Sequence, residues 1–127
     1  MRSRIAGAVA VLVAFVAGCW TTAGGVKAMS QEQAVYVVAQ IQIDDRETYG
    51  RYEAGFGAIF ERYEGELLSV SEDPELIEGE WSYTRTVLLR FPSSAALHAW
   101  YDSADYQELA RHRWAASRGN IVAVPGR

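Results

Sequence analysis

The chain has 127 residues, half of them hydrophobic and 22% charged, a mix that suits one globular domain with a modest core. Its formal net charge of −4 hides an asymmetry: residues 1–28 hold Arg2, Arg4 and Lys27 and no acid, which leaves nine basic and sixteen acidic side chains, a net −7, from Met29 onward. A body this acidic is a poor partner for nucleic acid, because phosphate contacts need clustered Lys and Arg.

Absent residue types exclude more. Lys27 is the only lysine and Cys19 the only cysteine. From Met29 onward a Schiff-base lysine, a thiolate nucleophile, a disulfide and a cysteine metal site are therefore ruled out. The two histidines, His98 and His112, form neither HxH nor HExxH, and no Gly-rich phosphate loop occurs. No metal site is expected and no cofactor is indicated. Chemistry would fall to His, Tyr, Arg, Asp or Glu.

Residues 1–28 read as a targeting segment, with MRSR as a positive start and IAGAVAVLVAFVAG as an apolar run of signal length. Two exits are open. Val16-Ala17-Gly18-Cys19 is similar to a lipobox, which makes Cys19 a lipidation candidate. Val26-Lys27-Ala28 fits a small-x-small cleavage site before Met29. The competing reading starts the protein at Met29. The first route expects an exported or membrane-attached protein, touching membrane only through this segment; the second expects a cytoplasmic one. The domain itself is expected over 29–127.

VYVVAQIQI, residues 35–43, is β-branched and apolar and reads as a strand. Val35, Val37, Ala39, Ile41 and Ile43 share one face; Tyr36, Val38, Gln40 and Gln42 share the other. A helix follows, with Asp44 as N-cap, Glu47 as its capping-box partner, and an apolar stripe of Tyr49, Tyr52, Phe56, Ile59, Phe60 and Tyr63. Gly50, Gly55 and Gly57 weaken it, so tertiary packing must hold it. Gly65 is the expected C-cap. Glu66–Ser71 is a strand and residues 71–74 a turn. A short strand segment is expected at Glu75–Gly79 and a clear strand at Thr84–Phe91. Ser93 caps a helix to Tyr101, Asp102 or Ser103 caps the next, and Ile121–Val124 closes the sheet.

The order βαββαβ predicts an α+β fold, a ferredoxin-like sandwich with helices on one sheet face only. The second face of strand 35–43 is too apolar to stay wet. A homodimer that buries it against a second copy is the economical expectation.

Several stretches together resemble the domain-of-unknown-function family DUF1330, within the dimeric α/β-barrel superfamily. They are VYVVAQIQI leading to Asp45 and Tyr49, IEGEW at 77–81, Arg85, RFPS at 90–93, WYDSADYQ at 100–107, Arg113 and the closing IVAVPG. The resemblance covers roughly residues 34–126. It implies a dimeric α/β barrel, two ferredoxin-like subunits with their sheets face to face, and no assigned activity. The wider superfamily includes cofactor-free monooxygenases, muconolactone isomerases and haem peroxidases, an analogy of fold alone.

Arg85 shares strand parity with Val87, Leu89 and Phe91, so its charge needs a partner, for which Glu78 or Glu80 is the natural candidate. Its planar fork also suits a ligand carboxylate, and Arg113 could approach the same place. Trp81 and Trp100 are candidate walls, Tyr49 and Tyr52 candidate hydrogen-bonding groups, and Glu78 or His98 a candidate base. Packing is the plainer reading of Trp100, Tyr101 and Tyr106. Two functions stay open: a pocket between helices and sheet for a small organic acid or aromatic compound, with cofactor-free isomerase or oxygenase chemistry, or a non-catalytic dimeric binding or scaffold module at the cell envelope, with a filled core.

Overall fold

A computed structural model describes residues 33–127; residues 1–28, read above as a targeting segment and including Cys19, lie outside them. Strand β1 spans Val35–Ile43, helix α1 Arg46–Phe60, strand β2 Glu66–Ser71 and strand β3 Arg85–Phe91. Helix α2 spans Ser94–Tyr101, helix α3 Ala104–Ala116 and strand β4 Ser117–Pro125. The strands form one antiparallel sheet in the order β2-β3-β1-β4, the ferredoxin-like arrangement anticipated from the element order.

β1 sits at the centre because it alone carries a fully apolar face. Val35, Val37, Ala39 and Ile41 are all buried. They pair with Phe91, Leu89, Val87 and Arg85 of β3, which therefore point to the same side, toward the helices. The opposite side carries Tyr36, Val38 and Leu88, and among the described residues no helix covers it. Tyr36 remains 39% exposed and Val122, on edge strand β4, 53%.

Aromatic side chains fill the space between sheet and helices. Phe91 stacks on Trp100 with ring centroids 5.5 Å apart, and Trp100 meets Tyr106 at 4.2 Å. Phe60 packs edge-on against both Phe91 and Trp100. Burying each such ring contributes roughly 1.5–3 kcal/mol, more than offsetting the glycine-weakened α1.

Four local expectations need correction. The N-cap of α1 is Asp45, whose carboxylate accepts from the Thr48 N–H at 3.1 Å; the Asp44 carboxylate instead accepts from Arg118 of β4. α1 ends at Phe60 with Glu61 as its cap. Gly65 serves packing, since a Cβ there would collide with the Phe60 and Phe91 rings. Residues 75–79 form no strand; Gly79 turns the chain at φ +85°, a conformation glycine adopts without strain. β4 begins at Ser117, four residues before Ile121, because α3 runs into it without a loop. Its first half is held by pairing with Ile43, Gln42, Ile41 and Gln40.

That abrupt junction positions the candidate site. The Ala116 carbonyl accepts from both Asp44 and Asp45 N–H groups, at 2.8 and 3.0 Å, so the end of α3 is tied to the end of β1. Arg113, one turn earlier, is thereby fixed over the sheet.

Candidate functional site

A cavity of about 470 Å³ lies between the sheet and the helices. Val37, Ala39 and Ile41 of β1 and Val87 and Leu89 of β3 form its floor; Tyr49, Tyr52 and Phe56 of α1 and Trp100 of α2 form its walls. Its size and largely apolar lining are those of a small-molecule site. Besides its tyrosines, four side chains that can carry charge reach it: Arg85, Arg113, Glu53 and His98.

Arg85 enters from the start of β3, opposite Ile41, with its side chain only 14% exposed. Its Nη1 donates to the Glu72 carboxylate, and its Nη2 lies 3.5 Å from Glu53. The guanidinium also stands over the Tyr49 ring, 5.3 Å from the centroid, within cation–π range. The expected partners Glu78 and Glu80 are thus replaced by Glu72 and Glu53. Ser71 pairs with Thr86, so the β2–β3 register sets Glu72 beside Arg85, while Glu78 is exposed in the connection and α1 delivers Glu53 one turn after Tyr49. Burial pushes the Tyr49 hydroxyl pKa up, and the Arg85 charge offsets part of that rise.

Arg113 is different. It is 8% exposed, beside Tyr52 with its guanidinium 5.8 Å from the ring centroid, and it has no carboxylate partner among the described residues. Burial works against its charge, and the facing Tyr106 and Tyr52 hydroxyls outweigh that effect. Those two hydroxyls meet each other at 3.0 Å. Burial, with the neighbouring Tyr106, holds the Tyr52 pKa far above that of an ordinary phenol.

Among the described residues, four buried side-chain polar atoms lack a hydrogen-bond partner: Arg85 Nε, Trp100 Nε1, and Arg113 Nε and Nη2. All four are N–H donors, and all belong to residues that line the cavity. Buried donors normally find acceptors, so four unpartnered ones on three residues lining a single cavity are unusual.

The other candidate residues lie as follows. Tyr49, Tyr52 and Trp100 line the cavity. His98 stands at its rim, 63% exposed at the side chain, with Nδ1 3.0 Å from the Asp102 carboxylate one turn on. Trp81 does not line it. Its indole donates to the Thr86 hydroxyl at 2.9 Å, and Thr86 follows Arg85 in the strand, so it points off the other sheet face. Glu78 does not reach the cavity either. Glu53 and Tyr106 do, and neither was picked out from sequence as a site residue. The available signal was spacing: Glu53 is four residues from Tyr49, on the same side of one helix. Among the described residues no three His, Cys, Asp or Glu side chains gather to hold a metal, and no helix is long and apolar enough to cross a membrane.

Fold and cavity together define a ferredoxin-like α+β protein with a largely apolar cavity beside two arginines. The chain belongs to the DUF1330 family, described as a domain of unknown function, whose model matches residues 34–127. No curated protein matches the chain significantly. Among solved structures it is similar to RPA0582, a protein of unknown function from Rhodopseudomonas palustris. The TM-score is 0.65 at 19% identity, covering 80% of this chain and 88% of that one. It is also similar to a dimeric ferredoxin-like protein of unknown function from Jannaschia sp. CCS1, with TM-score 0.52, 17% identity, and 74% and 98% coverage. SnoaB, a cofactor-independent oxygenase from Streptomyces nogalater, has TM-score 0.50, 14% identity, and 75% and 94% coverage. At these identities the likeness is one of fold.

Proposed function

We propose that the protein is a homodimeric α/β barrel that binds a small organic acid, with an aromatic or otherwise apolar body, in the cavity between helices and sheet. The observation that carries this reading is Arg113, a buried guanidinium with no carboxylate partner among the described residues, in the lining of a largely apolar cavity. An oxyanion satisfies such a guanidinium, and an apolar body replaces water along the aliphatic floor. Tyr49, Tyr52 and Trp100 serve as walls, and Arg113 as the principal anion contact. The scaffold reading expects a filled core, so the cavity favours the ligand-binding one.

Two further parts belong to the proposal. The sheet face bearing Tyr36, Val38 and Leu88 buries itself against a second copy, a reading supported by dimeric ferredoxin-like proteins among the structural neighbours. Any turnover is cofactor-free isomerase or oxygenase chemistry, with His98, oriented by Asp102, as the base at the rim. An exported or membrane-attached location rests on residues 1–28 alone, and a reporter fused to that segment tests it.

Calorimetric titration with benzoate and, in parallel, with benzyl alcohol tests the binding reading. The acid is expected to bind and the neutral analogue to bind at least tenfold more weakly. Equal affinities, or no binding by either, would remove it.

A further inference from the structure

The two arginines of the cavity are not equivalent, and the difference specifies the ligand. Arg85 has its Nη1 on Glu72 and its Nη2 facing Glu53, so its charge is already compensated and only Nε–H is left over. Glu72 is in addition 3.6 Å from Arg46. Arg113 keeps Nε and Nη2 free together. These two nitrogens form the side edge of the guanidinium, the edge that takes a carboxylate through two parallel hydrogen bonds. Beside it, the Tyr52–Tyr106 contact uses one of two hydroxyl hydrogens and leaves the other to donate. Arg113 is therefore the arginine with an unpaired guanidinium edge; both nitrogens are covered in the empty protein, so a carboxylate reaches them by displacing the neighbouring Tyr106 side chain.

At Arg85 the situation reverses. Glu53 itself lines the cavity. A second ligand carboxylate arriving there would meet that charge at close range, a repulsion weakened by solvent because the Glu53 side chain is 43% exposed. A neutral hydroxyl fits, because its oxygen accepts from Arg85 Nε–H while its hydrogen goes to Glu53. Trp100 Nε1–H is likewise without a hydrogen-bond partner. The two arginines stand over the neighbouring rings of Tyr49 and Tyr52, whose centroids are 5.4 Å apart, and both line the same cavity.

Resting on the ligand-binding reading above, we infer that the cavity selects a monocarboxylate with a neutral hydroxyl at its far end. Arg113 is the carboxylate seat, and Glu53 is the residue that rejects dicarboxylates.

The test is calorimetric binding of 3- and 4-hydroxybenzoate against isophthalate and terephthalate, with benzoate as reference. Each hydroxy acid is expected to bind the wild type at least tenfold more tightly than the dicarboxylate of the same substitution pattern. Glu53→Gln is expected to shrink that ratio severalfold, and Arg113→Met to weaken the hydroxy acids tenfold or more. Dicarboxylates that bind as well as the hydroxy acids would overturn the selection while leaving the ligand-binding reading in place. Failure of all five probes, benzoate included, would remove both. The wild-type ratio decides the matter even if a variant does not fold.

Discussion

The hydroxyls of Tyr52 and Tyr106, fifty-four residues apart in sequence, meet at 3.0 Å inside the core. This contact joins α1 to α3 directly over the sheet, and it is the polar centre of an otherwise aromatic cluster. Removing one hydroxyl leaves the other buried without its partner. Tyr52→Phe and Tyr106→Phe are each expected to cost about 1–3 kcal/mol in urea unfolding. The double variant should cost clearly less than the two single losses together, since it strands no hydroxyl. Strict additivity would mean that the contact carries no energy.

The same burial sets an alkaline limit. Tyr49 and Tyr52 have folded-state pKa values above the ordinary phenol value of 10.0. Below pH 10 both are neutral in the folded and unfolded chain alike, and their contribution is complete. Above it the unfolded chain loses protons that the folded chain keeps, so stability falls by up to ~1.4 kcal/mol per pH unit for each phenol. Urea unfolding between pH 9 and 11 measures this. A flat profile through pH 10 would contradict the burial of both hydroxyls.

Two glycines should respond oppositely to alanine. Gly57 lies within α1 with open space where its Cβ would be, so Gly57→Ala is expected to stabilise by about 1 kcal/mol. At Gly65 the new methyl meets the Phe60 and Phe91 rings, and Gly65→Ala is expected to cost about 1–3 kcal/mol. Thermal melts of the two variants check both signs.

Arg113 sets binding against stability. A buried guanidinium with two unpartnered nitrogens contributes little to the empty protein, and an apolar side chain of similar length often does as well. Arg113→Met is expected to leave the unfolding free energy within about 1 kcal/mol of wild type, while acid binding falls tenfold or more. An arginine kept for structure alone would show the reverse, a large loss of stability with binding intact.

The open sheet face yields a prediction about assembly. Val38 and Leu88 are paired across β1 and β3 on the side that no helix covers among the described residues. Leu88→Asp is expected to convert a dimeric wild type into a monomer in size-exclusion chromatography with light scattering, because a buried charge there has no partner. A wild type that is itself monomeric would end the dimer proposal.

Much of the fold could be read directly from residue patterns. β1 is legible because its apolar alternation is uninterrupted, and α2 because Ser93 and the flanking Pro92 mark its start. β4 was half hidden, since Ser117, Gly119 and Asn120 resemble a turn and only pairing with β1 makes them a strand. Residues 75–79 misled in the other direction: Leu76 and Ile77 look strand-like, yet no strand lies beside them to pair with. The site was partly visible. Strand parity pointed Arg85 inward, and Trp100 and the tyrosines followed from the helix stripe. The acid that answers Arg85 was not visible, because choosing Glu53 and Glu72 over Glu78 and Glu80 depends on the β2–β3 register and on where α1 packs. Tyr106 looked like packing alone because its hydroxyl partner sits on a different helix.

Native mass spectrometry of protein taken gently from its own host tests the central claim most directly. The account predicts a dimer that carries a small acidic molecule lost on denaturation, and no such mass on the Arg113→Met variant. Bare wild-type chains that also fail to take up added benzoate or 4-hydroxybenzoate would contradict it.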